Sequence, residues 1–157
     1  MSTKKPLHRI KTYKDFVGEL TATYRRTEKP TIKVTSSLSA ADFMRPYFDT
    51  CMDDHEEFKV LHLNRNNLVV NVDHVSSGSD TGTMVPIKDI VRNALLIKTH
   101  GILLFHNHPS SNTKPSDQDI EVTKKIKTAA AYFDIALLDH IILTRESYYS
   151  FANENIL

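Results

Sequence analysis

The sequence predicts an α/β fold in which helices sandwich a mixed β-sheet. Short apolar or alternating runs, typical of strands, are interspersed with longer runs whose apolar residues recur at helical spacing. The run at residues 102–105 is wholly apolar, which indicates a strand buried on both faces. A chain of 157 residues is long enough to bury roughly two-thirds of its unfolded surface in one domain.

The first predicted elements lie in the N-terminal segment. Thr12 and Asp15 have the spacing of a capping box, and the apolar residues around them fall at helical spacing. Those apolar residues are Tyr13, Phe16, Val17, Leu20 and Tyr24. A short strand is predicted at residues 31–35, and Ser39 is predicted to start a second helix. The inward residues of that helix would be Phe43, Met44, Tyr47 and Cys51.

The remaining elements alternate between strands and helices. Strands are predicted at residues 58–63, 68–72, 102–105, 137–143 and 148–151. Residues 76–83, rich in serine and glycine, predict a flexible loop, and Pro86 then begins a helix. The buried face of that helix would carry Ile87, Ile90, Val91, Ala94 and Leu95. The last predicted helix spans residues 116–133.

Composition and cysteine content restrict the class of protein. No apolar stretch reaches the roughly 18 residues of a membrane span, and the N-terminus lacks the apolar core of a signal peptide, so no membrane partner is expected. The single cysteine, Cys51, excludes an internal disulfide and cysteine-based zinc sites, which fits a cytoplasmic location. We expect one compact unit, with an unassigned helical or extended segment at residues 1–45 and the main domain at 46–157.

Charge is distributed unevenly along the chain. Residues 1–33 hold nine lysines and arginines against three acids, a net charge of +6, whereas the remainder holds eleven against sixteen, a net charge of −5. A basic segment of this kind can contact nucleic acid. The alternative is a solvated helix face, which the helical spacing of its aromatic residues favours over a stacking platform.

His106 and His108 carry the strongest functional signal. They follow the apolar strand at 102–105, and side chains two apart on a strand leave the same face. Open α/β sheets place their sites at the carboxyl ends of strands. Asp119 follows after a polar loop, and two imidazoles with a carboxylate form the ligand set of a catalytic zinc ion that retains one open position.

Structural alternatives exist for several of these residues. Ser116 and Asp119 also have the spacing of a helix capping box, and both interpretations place the pair at the start of a helix. His140 follows Asp139 in a predicted strand. It would either orient a metal ligand from behind or be a buried histidine satisfied by the backbone.

The motif resembles that of a known family. The pattern His106-x-His108-Pro109, seven residues, Ser116, two residues and Asp119 resembles the signature of the JAMM (MPN+) zinc hydrolases. Further matches resemble the bacterial RadC-like JAB-domain proteins, from about Glu56 to Leu157. They are residues 106–110, 114–116, 139–142 and 148–151, together with Asp119 and Thr123. The resemblance implies the JAB/MPN architecture, which is comparable with that of the zinc deaminases.

The resemblance also implies roles for individual residues. His106, His108 and Asp119 would bind one Zn²⁺ per chain with water as the fourth ligand, and Ser116 would hydrogen-bond the developing oxyanion. The general base of the family lies two residues before an aromatic residue that opens a strand, which indicates Glu56 before Phe58. Glu57 is the alternative, and side-chain alternation favours Glu56 because it groups that residue with Phe58.

One departure from the family lies beside the metal motif. Ser111 stands where the family usually has glycine after His-Pro-Ser, which predicts a stiffer loop. A second departure is the segment at residues 85–89, which replaces an arginine-bearing sequence of the family.

The resemblance favours a zinc metallohydrolase acting as a peptidase or isopeptidase on a peptide or an isopeptide-linked protein. The alternative is a DNA-associated repair or recombination accessory protein or a nuclease, which the basic N-terminal segment permits. A zinc deaminase is excluded because its motif requires His-x-Glu and Pro-Cys-x-x-Cys, and this chain has a single cysteine.

Overall fold

A computed structural model describes residues 11–79 and 82–157. Its helices are α1 (Ser37–Met44), α2 (Ile87–Leu96) and α3 (Asp117–Ala131), and a 3-10 turn at Arg45–Phe48 follows α1. Its strands are β1 (Glu57–Leu63), β2 (Val69–Ser77), β3 (Gly101–Asn107), β4 (Ala136–Leu143) and β5 (Tyr148–Ser150).

The strands form one mixed sheet in the order β2-β1-β3-β4-β5. Strands β3 and β4 are parallel and are connected through α3, whereas every other neighbouring pair is antiparallel. The carboxyl ends of β3 and β4 therefore lie at the same edge of the sheet. The predicted fold class, a mixed sheet between helices, is confirmed.

Two apolar clusters cover the two faces of the sheet. On one face, α1 contributes Ala40, Ala41 and Met44, which are fully buried against Leu61 and Phe105. The other face packs against α2 and α3, and its buried residues include Val60, Ile90, Ala94, Leu104, Ile126 and Ala130. Because both faces of β3 are covered, the strand is buried from end to end, as its continuous apolar run predicts.

A bulge in β4 changes which residues face each side. The register with β3 shifts at Leu138, so Leu137 pairs with Ile102 while Asp139 pairs with Leu103. Gly101 makes room for the extra residue, since a Cβ atom there would lie 2.8 Å from the Leu138 side chain. The consequence is that Leu137 and His140 both face α3, although strict alternation would separate them.

The prediction of a helix in the N-terminal segment is wrong. Residues 11–30 contain no helix or strand, and the apolar side chains of this segment are exposed. They range from Tyr24, 60% exposed, to the fully exposed Val17. A short helix is marginal in water without a surface to pack against, and Gly18 weakens this one further. Helical spacing of the apolar residues was therefore not sufficient to predict a helix in this segment.

Other boundaries differ from the predictions in smaller ways. Helix α1 begins earlier, because Ser36 rather than Ser39 caps it and Ser39 completes the capping box. The predicted strand at 31–35 is a single bridge between Lys33 and Leu68. Strand β2 continues to Ser77, five residues beyond the prediction and into the predicted loop.

The inward face of α2 is also corrected. Leu95 is exposed, whereas Asn93 is buried and donates to Asp73 Oδ2 at 3.1 Å. A residue one position after Ala94 is rotated about 100° away from the buried face, so Leu95 points to solvent.

Within residues 11–79 and 82–157, no helix is both long and apolar enough to cross a membrane. Two residues of the predicted loop, 80 and 81, lie outside the described part of the chain, as do the first ten residues with their basic side chains. The predicted division at residue 45 stays a prediction.

Candidate metal centre

Three predicted ligands converge at the carboxyl edge of the sheet. His106 is the penultimate residue of β3, and His108 directly follows that strand. Asp119 lies in the first turn of α3. The Nε2 atoms of His106 and His108 are 2.9 Å apart. Asp119 Oδ1 lies 3.3 Å from His106 Nε2, and Oδ2 lies 3.5 Å from His108 Nε2. One donor atom from each residue thus lies within 4.8 Å of the others.

The donor chemistry of this cluster fits a zinc ion. His108 Nδ1 lies 2.6 Å from the backbone oxygen of Asn112, and because a carbonyl only accepts, Nδ1 carries the proton. In the neutral ring, Nε2 then presents a lone pair to the cluster. Imidazole nitrogens with one carboxylate oxygen are the ligands that catalytic zinc sites use, and the described cluster contains no cysteine. The cluster is compatible with a metal site.

The carboxylate and the imidazoles of the cluster interact electrostatically. Burial would raise the pKa of Asp119, but its contacts with the His106 and His108 rings outweigh burial and hold that pKa well below the usual range. Burial would likewise lower the pKa of His108, but the Asp119 carboxylate outweighs it and raises that pKa. Asp119 and His108 therefore each stabilise the charged form of the other.

Asp119 takes part in a capping box as well as in the cluster. Ser116 Oγ accepts from the Asp119 amide at 3.1 Å, and Asp119 Oδ2 accepts from the Ser116 amide at 2.8 Å. The capping interpretation is confirmed, and the same carboxylate also lies beside the two candidate ligands His106 and His108. The Ser116 hydroxyl proton is not used by the box, because Oγ is the acceptor there, and Ser116 lines the cleft beside the cluster.

The structure places the two candidate bases on opposite sides of β1. Glu56 lines the cleft with His106 and His108, and burial raises its pKa although the two rings partly offset that effect. Glu57 points away and contacts Lys59 Nζ at 2.7 Å and His55 Nε2 at 3.0 Å. Burial would raise the pKa of Glu57, but hydrogen bonds from His74 and Lys59 outweigh it and lower that pKa far below its usual range.

Asn107 holds the segment that carries Glu56, a role that the sequence analysis missed. Its side chain is fully buried and faces away from the two histidines. The amide nitrogen donates to the backbone oxygens of Cys51, Met52 and His55 at 3.1, 3.2 and 2.9 Å, and Oδ1 accepts from the Glu57 amide at 2.8 Å. The signal was available, because an amide between two same-face ligands must point to the other, buried face and find partners there.

Behind the cluster, His140 contacts His106 directly. His106 Nδ1 lies 2.8 Å from His140 Nε2, and His140 Nδ1 lies 2.6 Å from Thr123 Oγ1. Complete burial lowers the pKa of His140 well below its usual value, so the ring is neutral. The structure thus brings His140 behind the predicted ligand His106. It also adds Thr123, for which the sequence analysis proposed no role.

The cluster opens into a cleft of about 670 Å³. Apolar side chains line one part of the cleft, among them Phe58, Val85 and Val122, and polar ones line another, among them Ser110, Asn112 and Lys114. Val85 belongs to the segment that departs from the family pattern, so the described structure places this departure in the cleft wall.

The loop after His108 has a backbone conformation at Ser111 that favours glycine. Ser111 has φ +65°, a left-handed conformation in which a side chain is disfavoured and glycine is not. Its amide donates to the His108 backbone oxygen at 3.1 Å, which fixes the turn.

We predict that Ser111→Gly raises the free energy of unfolding by up to about 1 kcal/mol, because it removes this strain at a small cost in chain entropy. Denaturant unfolding of the zinc-free protein measures the change. Ser110 lacks a positive φ, so the control Ser110→Gly should destabilise the protein. Destabilisation by both variants to the same extent would contradict the interpretation.

The fold and the cluster together define an α/β domain with a candidate metal centre at the carboxyl end of its central strands. The model of the RadC-like JAB domain family matches residues 34–156, and the chain belongs to that family.

Several curated relatives are similar to this chain. The UPF0758 protein of Flavobacterium johnsoniae is 42% identical over 124 residues, which are 79% of this chain and 53% of that protein. The UPF0758 protein of Chlorobium luteolum is 37% identical over 105 residues, 67% of this chain and 47% of that protein. The UPF0758 protein of Fusobacterium nucleatum is 31% identical over 152 residues, which are 93% of this chain and 66% of that protein. The chain spans about half the length of the first two relatives.

Proposed function

We propose that the protein is a zinc-dependent hydrolase that cleaves an amide or isopeptide bond with water. The observation that carries this proposal is the convergence of five side chains on one cleft. The predicted ligands are His106, His108 and Asp119, and the candidate base Glu56 and the candidate oxyanion donor Ser116 line the same cleft.

Each of these side chains has a chemical task in amide hydrolysis. When bound by the three ligands, zinc lowers the pKa of a water molecule to about 7 and polarises the scissile carbonyl. Glu56 accepts a proton from the attacking water and returns it to the leaving amine. The raised pKa of Glu56 supports this exchange, because a general base transfers protons most efficiently when its pKa lies closer to the working pH. Ser116 donates its free hydroxyl proton to the oxyanion.

The ligand set favours zinc and an acyl substrate. Magnesium prefers oxygen ligands in octahedral geometry, whereas two imidazoles suit zinc. Metal-dependent nucleases more often use paired ions or several carboxylates. In the described part of the chain, one group of histidines and acids has metal-binding spacing, and it contains a single carboxylate.

A second candidate, association with nucleic acid, is favoured by one observation. The segment at residues 11–30 is exposed throughout, and it carries Lys11, Lys14, Arg25, Arg26 and Lys29 beside exposed aromatic side chains. Basic residues interleaved with aromatic ones can bind single strands through phosphate contacts and base stacking. The name of the family fits this alternative as well.

One comparison of substrates separates the two candidates. Zinc-loaded protein is incubated with peptide, isopeptide-linked, single-stranded DNA and duplex DNA substrates, and each assay is repeated with Glu56→Gln to exclude contaminants. We expect amide cleavage that depends on Glu56 and no DNA cleavage. DNA cleavage that depends on Glu56, without amide cleavage across the library, would overturn the proposal in favour of a nuclease.

A further inference from the structure

We infer that Thr123 sets the tautomer of His106 through His140, and thereby keeps the Nε2 lone pair of His106 available to a metal ion. Thr123 and His140 are positioning residues in this inference, since neither faces the cleft. The inference rests on the metal site of the proposed function and concerns how the protein prepares that site.

The contacts form a continuous buried chain. Thr123 Oγ1 lies 2.5 Å from the backbone oxygen of Asp119 and 2.6 Å from His140 Nδ1. His140 Nε2 lies 2.8 Å from His106 Nδ1. Thr123 and His106 are each 2% exposed and His140 is fully buried, so solvent does not exchange these partners.

The direction of each hydrogen bond follows from the first. The backbone oxygen of Asp119 only accepts, so the single hydroxyl proton of Thr123 points to it. Thr123 Oγ1 must then accept from His140, which places the proton of that ring on Nδ1.

The same reasoning continues to the cluster. A neutral imidazole has one N–H group, so His140 Nε2 accepts and His106 Nδ1 donates. His106 Nε2 is thereby left with a lone pair that points at His108 and Asp119.

His108 reaches the same tautomer by a shorter route. Its Nδ1 donates directly to the backbone oxygen of Asn112, an acceptor that has no alternative state. The acceptor of His106 is a second ring, which could equally carry its proton on Nε2. An additional group must therefore set the direction. In the described structure, the only other side chain that hydrogen-bonds to a ring nitrogen of His140 is Thr123.

Without the Thr123 hydroxyl, no acceptor would hold the His140 proton on Nδ1. With valine at position 123, the His140 Nδ1–H group would be buried without an acceptor, which is unfavourable. The other tautomer avoids this cost by placing the proton on Nε2, which would then donate to His106 Nδ1. His106 would carry its own proton on Nε2, where it blocks a metal ion.

The test compares Thr123→Val, which has nearly the same shape, with Thr123→Ser, which keeps the hydroxyl. Zinc affinity is measured by competition with a chromophoric chelator. Long-range ¹⁵N–¹H NMR of the zinc-free protein, above the pH at which the histidines titrate, reports which ring nitrogen carries each proton. Thr128 is an exposed threonine on the same helix, and Thr128→Val is the matched control.

We expect wild-type His140 and His106 to carry their protons on Nδ1. Thr123→Val should move the proton of His106 to Nε2 and weaken zinc binding about 10–100-fold, the range typical when the partner of a metal-binding histidine is lost. Thr123→Ser and Thr128→Val should retain wild-type affinity and tautomers.

Two results would overturn the inference and leave the proposed function intact. One is wild-type zinc affinity in a folded Thr123→Val variant. The other is an Nε2 proton on His140 in the wild-type protein, which can be observed even if Thr123→Val does not fold. Failure of the wild-type protein to bind zinc would overturn the inference and the proposed function together.

Discussion

Glu56→Gln should retain zinc and the wild-type fold while lowering amide hydrolysis at least ~100-fold. The amide has nearly the shape of the carboxylate but cannot accept a proton from the attacking water. Glu56 is not among the three residues whose donor atoms converge, so its replacement spares the ligand set. Zinc content, the thermal unfolding midpoint and kcat/KM of the purified variant measure the three quantities separately.

Glu57→Gln is the matched control, because it makes the same chemical change one residue further along the chain. Glu57 contacts Lys59 and His55 on the opposite side of the strand from the cleft, so turnover should stay near the wild-type value. Stability should fall by about 2 kcal/mol, since Lys59 is 7% exposed and would lose its carboxylate partner. Loss of turnover in Glu57→Gln, with normal turnover in Glu56→Gln, would show that Glu57 rather than Glu56 is the general base.

The pH dependence of stability distinguishes this structural role further. The pKa of Glu57 is lowered in the folded protein, so its contribution is complete above the unfolded pKa of about 4.5 and is lost as pH falls below that value. The stability difference between the wild-type protein and Glu57→Gln should therefore be largest near neutral pH and shrink in acid. Denaturant unfolding at pH 7 and at pH 3.5 measures it.

The sequence predicted the parts of the site that depend on local periodicity. His106 and His108 leave β3 on one side because side chains two apart on a strand share a face. The capping spacing correctly placed Ser116 and Asp119 at the start of α3. Alternation along the strand likewise placed Glu56 and Phe58 on one side, and both line the cleft.

The parts that the sequence could not predict depend on contacts between distant segments. The bulge at Leu138 reverses the alternation in β4, so the face of His140 depends on the register with β3 rather than on its own strand. The contacts of Asn107 with residues 51–57 likewise depend on how a distant turn packs. The prediction of an N-terminal helix was wrong because helical spacing of apolar residues is not sufficient without an apolar surface for the helix to pack against.

Replacement of both His106 and His108 by alanine should remove zinc and reduce hydrolysis to background. Two of the three proposed ligands are lost, and one carboxylate cannot hold the ion. The fold should persist because a catalytic metal site, unlike a structural one, does not supply the core. Metal analysis of dialysed protein measures zinc, and undiminished zinc in the double variant would contradict the assignment.

Asp119→Asn separates the metal role of that residue from its capping role. The asparagine oxygen can still accept from the Ser116 amide, so most of the capping box is kept, and at most about 1 kcal/mol of stability should be lost. The negative charge beside the two rings is removed, and zinc affinity should fall with it. A residue that served only as a cap would show the same small loss of stability but an unchanged zinc affinity. Because Asp119 directs one carboxylate to the box and to both histidines, only a variant that keeps the acceptor and removes the charge can distinguish these roles.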